Sequence, residues 1–453
     1  MRAVRLRVLA TELGGRCRGD DIEITGAAID SRRIQPGDLF IALPGEHADG
    51  HAFVEAAIEA GASAAMVRDF IAADVPQWRV DDPYRGLIEL ACWARASINA
   101  RVIGVTGSNG KTTVKEMLAR ILNEQGATQA TLGNLNNELG VPLTLCQLCP
   151  SSRYAVIEMG CGRTGDIALL ASWARPDIGL VNNVSAAHLA GFGSVEAIAH
   201  CKGELFTALS ADGYAVVNAD DPYAALWEEQ AAHCRIVRFS LRGEAAEVSG
   251  QVLEDGRLRV SFPAEEITLS VPLAGRHNHY NALAAATTAW VAGASTTAIQ
   301  AGLAQVEPVA GRLQTLQGPV GSQLINDSYN ANPASLRAAL ETATTDDARV
   351  WLVLGDMAEL GEDAGAFHFE AGLFARSLGV ERLYTLGPLS AQAATAFGKN
   401  SYNAKDHAAL IAQLHSDLRS DVRVLIKGSR AARMDQVVAA LSEPTGKEGA
   451  ACC

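Results

Sequence analysis

The sequence predicts an α/β fold divided into three domains, and three observations carry that expectation. A chain of 453 residues is too long for one ordinary core and suits about three domains. Short apolar runs, several β-branched and ending in glycine or polar residues, alternate with helical segments, as buried parallel strands do. The rhythm changes near residues 83 and 311, which gives expected bounds of 1–82, 83–311 and 312–453.

The first unit reads as a small α/β module. It holds the strand-like runs IEITGAAID and DLFIAL and one helix, HAFVEAAIEAGA, and ends near VDDPYRG. From residue 83 the runs RVIGVTG, YAVIEMG, IGLVNNV and YAVVNADD alternate with longer helices, the pattern of a mostly parallel sheet. In LEDGRLRVSF the pair Asp255-Gly256 between alternating residues signals a hairpin. The third unit begins near Gly311. Its runs SQLIND, RVWLVLGDM, VERLYTLG and VRVLIKGS, separated by Ala-rich helical stretches, suit a second doubly wound, Rossmann-like sheet. After Leu441 the sequence reads as a loose tail.

Composition narrows the function. With 48% hydrophobic and 20% charged residues the chain is globular and well packed. A formal net charge of −13 argues against a nucleic-acid partner, which leaves a basic footprint. No apolar run approaches the ~18 residues of a membrane span, and MRAVRLRVLATELGG does not read as a signal peptide. Nine scattered cysteines read as reduced thiols of a cytoplasmic protein. Cys146 and Cys149 have CxxC spacing but no second pair, which a zinc site ordinarily needs.

The stretch IGVTGSNGKTTVKEML carries the first chemistry. A strand precedes TGSNGKT and a helix follows it, with apolar positions at 114, 117, 118, 121 and 122. That is the context of a phosphate loop. Val105 stands where the general pattern has glycine, so Gly107, Asn109 and Gly110 supply the unusual backbone angles of a nucleotide-binding loop that also includes Ser108. Backbone N–H groups there can encircle phosphate oxygens. Lys111 would reach the β/γ-phosphates, and the Thr112 hydroxyl, with Thr113 beside it, would face Mg²⁺.

A phosphate loop alone names no reaction. Glu158 ends the strand AVIEM, where a parallel sheet presents metal ligands, although a strand-end surface charge reads as well. His188 follows another strand end in a glycine-containing loop, and a lone histidine is ordinarily structural. Lys202 completes the apolar stripe of Val195, Ile198, Leu205, Phe206 and Leu209. A lysine on a buried face is costly unless paired, neutralised or modified. Spacing by itself favours the ordinary case, in which the stem packs and the head reaches water.

In order, TGSNGKTT, EMG, AHLAGFGS, KGELF, GRHNHYNALAA and INDSYNANPAS resemble the motifs of the Mur ligases, ATP-dependent amide-forming enzymes of peptidoglycan precursor synthesis. The resemblance runs from DSRRIQPGDLFIALPGEHADGHAFVEAAIEAGA to LIKGSRAARMDQVV, nearly the whole chain. GNLNNELGVPLTL, NDSYNANP and LGDMAELGEDAGAFH resemble the branch that adds the D-alanyl-D-alanine dipeptide, and the DNPR motif of the diaminopimelate-adding branch is missing.

The resemblance implies roles position by position. Lys111 and Thr112 match the phosphate-loop lysine and metal-binding hydroxyl. Glu158 and His188 match ligands of Mg²⁺, two ions in all. Lys202 matches a lysine that related ligases carry as a carbamate, which would account for its place in an apolar stripe. Asn278 and Asn281 match residues near adenine, and Arg312 and Asp327 match contacts to phosphate and ribose. Ser31 and Arg32 fall in the DSR motif used at the uridine-nucleotide end, while Gly133, Asn134 and Asn137 would line the muramyl-peptide route. The implied substrates are ATP, UDP-MurNAc-tripeptide and D-Ala-D-Ala, and the implied state is a cytoplasmic monomer.

Two departures are visible. Ala187 stands where many members have Asp before the histidine. Asn326-Asp327-Ser328-Tyr329-Asn330 replaces the Asp-Asp-Tyr-Ala-His stretch of several branches. Two other readings remain: a folylpolyglutamate synthase, which shares the loop and lysine region, and a P-loop switch or ATPase without peptide substrates.

Overall fold

The computed structural model describes residues 1–45, 48–346 and 348–442. The tail expected after Leu441 lies, from residue 443 onward, outside the described residues. The main sheets have five, nine and six strands, in that order along the chain.

The five-stranded sheet runs Arg16–Arg18, Gln77–Arg79, Ala64–Val67, Asp38–Ile41, Gly26–Ala28, parallel except at its first pair. The run IEITGAAID divides. Glu23–Ile24 pairs antiparallel with Val4–Arg5 in a separate two-stranded sheet, and only Gly26–Ala28 joins the larger one. HAFVEAAIEAGA is likewise shorter than its apolar pattern. A 3-10 turn Gly50–Phe53, capped by Asp49, leads into a helix of Val54–Glu59.

Helix Pro83–Ala96 joins this unit to the next. Asp82 caps it by accepting from the N–H groups of Tyr84 and Arg85, and Pro83 sits where no donor is needed. Leu87, Leu90, Ala91 and Ala94 of this helix share one apolar core with Leu39 and Met66 of the five-stranded sheet and Val102 and Ile157 of the nine-stranded one. The two units are thus packed around common side chains.

The nine-stranded sheet places Arg101–Thr106 between Tyr154–Glu158 and Ile178–Val181. Its strands are parallel from Thr128–Ala130 through Val248–Val252, and Leu258–Ser261 and Glu266–Leu269 add an antiparallel edge. Gly256 (φ 79) turns the hairpin read at Asp255-Gly256. Side-chain alternation along Arg101–Thr106 serves two cores. Val102 faces one, whereas Ile103 and Val105 face the other with helices Lys111–Asn123 and Arg276–Val291. The chain leaves Tyr154–Glu158 on one side of Arg101–Thr106 and returns on the other, and such a reversal opens a crevice at the carboxyl ends of the strands.

The six-stranded sheet runs Gln314–Gln317, Gln323–Asp327, Val422–Lys427, Arg349–Gly355, Arg382–Leu386, Ser401–Ala404, and all but its first pair are parallel. The carboxyl ends of Gln323–Asp327 and Val422–Lys427 carry Asp327 and Lys427, which reach the crevice of the central sheet. Among the described residues no helix is long and apolar enough to cross a membrane.

Candidate active site

The crevice encloses about 1440 Å³, more than the about 300–1,000 Å³ of a typical small-molecule pocket. Residues of the phosphate loop form its floor. Gly110 adopts φ 79, and a Cβ there would lie 2.4 Å from Asn281 Oδ1. Glycine is therefore required by conformation and by space. The loop is tied to the neighbouring strand end: Ser108 N–H donates to Asn183 O at 2.9 Å and Asn109 N–H to Asn183 Oδ1 at 2.9 Å. Asn182 Nδ2 donates to Asn109 O at 3.1 Å and to Asn281 Oδ1 at 2.9 Å. Asn281 in turn donates to Asn278 Oδ1 at 3.0 Å.

Lys111 folds back over the loop and donates from Nζ to Gly107 O at 2.7 Å. Burial of its ammonium, reinforced by the nearby Lys202, lowers its pKa from 10.5 to about 8. An anion in the crevice would hold the charged form.

Glu158, 1% exposed, ends its strand beside the loop. Its Oε1 accepts from Asn136 Nδ2 at 2.7 Å, while the buried Oε2 has no hydrogen-bond partner. A buried carboxylate oxygen left unpaired is costly, and a cation would satisfy it. Asn136 belongs to the loop after Thr128–Ala130, which the fully buried Lys115 braces through Thr131 O (2.7 Å) and Gly133 O (3.3 Å).

Lys202 sits on helix Val195–Thr207 with 2% of its surface exposed, so its head does not reach water. The packed-stem arrangement that spacing favours is therefore not what the fold adopts. Nζ lies 3.4 Å from Cys161 Sγ. A hydrogen bond from Cys201, then the charges of Lys202 and Lys111, hold the Cys161 thiol below its ordinary pKa.

The C-terminal unit closes the crevice from above. Arg312 Nη2 donates to Thr112 Oγ1 at 2.9 Å, and the same guanidinium lies over the Tyr329 ring at 4.3 Å. Asn332 Nδ2 donates to Asn109 Oδ1 at 2.8 Å. Lys427 Nζ donates to Asp327 Oδ2 at 2.5 Å and to Asn330 O at 2.9 Å. His188 Nδ1 pairs with a carboxylate oxygen of Glu359. Burial lowers the pKa of His277 to about 4.

Such a site, a phosphate loop roofed by a second parallel sheet, has relatives. Residues 23–83 match the Mur ligase family catalytic domain, 105–289 the Mur ligase middle domain, and 311–430 the Mur ligase glutamate ligase domain.

The chain belongs to the Mur ligase family.

It is 41% identical over 449 residues to the UDP-N-acetylmuramoyl-tripeptide--D-alanyl-D-alanine ligase of Escherichia coli (strain K12), covering 98% of this chain and 99% of that one. Its fold is similar to a crystal structure of MurF from Acinetobacter baumannii, with TM-score 0.87, 31% identity and coverage of 97% and 98%. MurF ligase from Thermotoga maritima in complex with ADP is also similar, with TM-score 0.79, 27% identity and coverage of 92% and 96%.

Within this Mur ligase the crevice gathers Ser108, Asn109, Gly110, Lys111, Thr113, Asn137, Glu158, His188, Lys202, Asn278, Asn281, Arg312 and Asp327. Thr112 lies just beneath, covered by Arg312. Gly107 shapes the loop and accepts from Lys111. Gly133 and Asn134 are exposed and outside the crevice lining. Ser31 and Arg32 are also outside it, in the turn Ser31–Arg33 of the N-terminal unit, where Arg32 pairs with Asp30 at 2.7 Å. Among the described residues no three His, Cys, Asp or Glu side chains gather as a metal site.

Several lining residues are absent from the sequence reading: Asn136, Cys161, Asn182, Asn183, Asn332, Glu359 and Lys427. Asn182, Asn183 and Lys427 lie at or just past the ends of strands Ile178–Val181 and Val422–Lys427, at the sheet edge where ligands bind. That signal could have found them.

Proposed function

We propose that this Mur ligase joins D-alanyl-D-alanine to UDP-N-acetylmuramoyl-tripeptide with ATP, giving the pentapeptide, ADP and phosphate for peptidoglycan synthesis. The observation that carries the reading is the near-full-length match to an Escherichia coli relative bearing that name. The similar Thermotoga maritima ligase in complex with ADP supports the nucleotide.

The chemistry follows from charge. A tripeptide carboxylate oxygen attacks the γ-phosphorus of ATP, the bond to the β-phosphate oxygen breaks, and ADP leaves. The free amine of D-Ala-D-Ala then attacks the acyl-phosphate carbonyl. Inorganic phosphate departs, the nitrogen loses a proton, and the amide remains. Two anions must approach, so positioning and charge neutralisation are the protein's task. Lys111 and the N–H groups from Gly107 to Thr113 would hold the phosphates. Asn278 and Asn281 would flank the adenine, with Arg312 and Asp327 at phosphate and ribose. Closure of the C-terminal unit would keep water from the acyl phosphate.

Mg²⁺, two ions in this reading, would be held by Thr112, Glu158, His188 and Lys202, and bound there it neutralises phosphate charge and orients the transferring group. The orphaned Glu158 Oε2 is the feature that fits a cation. Lys202 would bind as a carbamate, its neutral Nζ adding to the carbon of CO₂ and losing one proton.

The bounds 1–82, 83–311 and 312–453 are kept as functional units: the first for the uridine nucleotide through Ser31 and Arg32, the second for ATP, the third for closure. Gly133, Asn134 and Asn137 would flank the muramyl-peptide route. The enzyme would act as a monomer in the cytoplasm, where ATP is made available. Incubation with UDP-MurNAc-tripeptide, ATP and D-Ala-D-Ala, followed by mass spectrometry, tests the assignment. A UDP-MurNAc-pentapeptide product supports it; an unchanged tripeptide nucleotide overturns it.

A further inference from the structure

Six non-glycine residues carry positive φ among the described residues, and two of them, His188 (φ 59) and Glu359 (φ 62), touch each other. They belong to different units. His188 precedes the short helix Leu189–Phe192 at the crevice of the central sheet, and Glu359 follows strand Arg349–Gly355 of the C-terminal sheet. Left-handed backbone at a residue with a side chain is strained and persists only where its surroundings over-determine it. Here the surroundings combine the short helix that His188 caps, with Gly191 N–H donating to His188 O at 3.0 Å, and the contacts between the two residues. An ionised carboxylate can only accept, so Nδ1–H of His188 donates to Glu359. The main chain repeats the link, with Ala190 N–H donating to Glu359 O at 3.1 Å. Both side chains line the same crevice as Glu158 and Lys202.

We propose that Glu359 is a positioning residue that couples docking of the C-terminal unit to the orientation of His188. By taking Nδ1–H it fixes the tautomer and leaves Nε2 as the ring's free nitrogen for the crevice. The imidazole is thus held in one orientation only while the C-terminal unit is docked. The ligand set is completed by closure, and nucleotide chemistry in the open state is suppressed. The inference rests on the reading of His188 as a magnesium ligand.

The test compares Glu359→Ala, Glu359→Gln and wild type. Partners that orient a metal-binding histidine are worth about 10–100-fold in metal affinity or activity. Glu359→Ala is expected to raise the Mg²⁺ concentration for half-maximal phosphate release by that factor. Small-angle X-ray scattering of the ligand-free protein is expected to show an expanded envelope. Glu359→Gln keeps an acceptor for Nδ1–H and is expected to stay within about threefold of wild type in Mg²⁺ requirement, with wild-type scattering. Glu359→Gly, which adopts positive φ freely, replaces the alanine variant if strain prevents that one from folding. Wild-type scattering and an unchanged Mg²⁺ requirement in the alanine or glycine variant would overturn the inference. So would equal losses in the glutamine and alanine variants. Failure of the ligase reading is separately visible, because wild-type phosphate release would then ignore the dipeptide while the scattering comparison stood.

Discussion

Arg312 of the C-terminal unit donates to the hydroxyl of Thr112, 2.9 Å away at the start of the phosphate-loop helix. The residue expected to meet a phosphate and the residue expected to meet a metal are therefore hydrogen-bond partners across the two units. ATP and Mg²⁺ would have to separate or bridge them.

Thr112→Ala removes that hydroxyl while leaving the loop's backbone donors intact. The Mg²⁺ concentration for half-maximal activity should rise by about tenfold, the lower end for lost metal-site partners. The KM for UDP-MurNAc-tripeptide should change by less than about twofold, being set by contacts elsewhere. Magnesium titration at saturating ATP, beside a tripeptide-nucleotide titration, checks both.

Lys202→Ala should lower kcat by about 10²–10³-fold, the scale of losing a group that stabilises transition-state charge. Added bicarbonate should not restore activity, since alanine has no amine to modify. Near-normal rates in this variant would exclude a role for the lysine in the reaction.

Gly110→Ala places a methyl 2.4 Å from Asn281 Oδ1 at φ 79. The left-handed backbone alone costs about 1–2 kcal/mol in a residue with a Cβ. The variant should melt at a lower temperature and lose ATP binding, both measurable by calorimetry.

His277 gives a pH signature. Burial lowers its pKa from 6.5 to about 4, so in that window the unfolded chain binds a proton that the native state refuses. The histidine's contribution to stability is present above pH 6.5 and is lost as pH falls toward 4. Thermal melting of wild type and His277→Gln across this window should show wild type losing stability more steeply on acidification.

Much of this was legible in sequence because strand ends and glycines report geometry directly. The TGSNGKT loop, Glu158 at its strand end and Lys202 on a buried stripe are local facts, and the crevice gathers them. What sequence spacing could not give is pairing across units. Glu359 meets His188 171 residues away, and Arg312 meets Thr112 across 200, with no periodicity linking them. Lys202 shows a second limit. Its spacing marks a buried face, yet whether its head escapes to water depends on the neighbours that enclose it. IEITGAAID shows a third, since an apolar run can turn a corner and serve two sheets.

As a ligase, this protein would use the loop to activate a carboxylate for a dipeptide acceptor. Phosphate release measured with ATP, UDP-MurNAc-tripeptide and D-Ala-D-Ala, each omitted in turn, tests it most directly. Sustained release is expected only when all three are present. Steady release without the dipeptide would contradict it and point to an ATPase or switch.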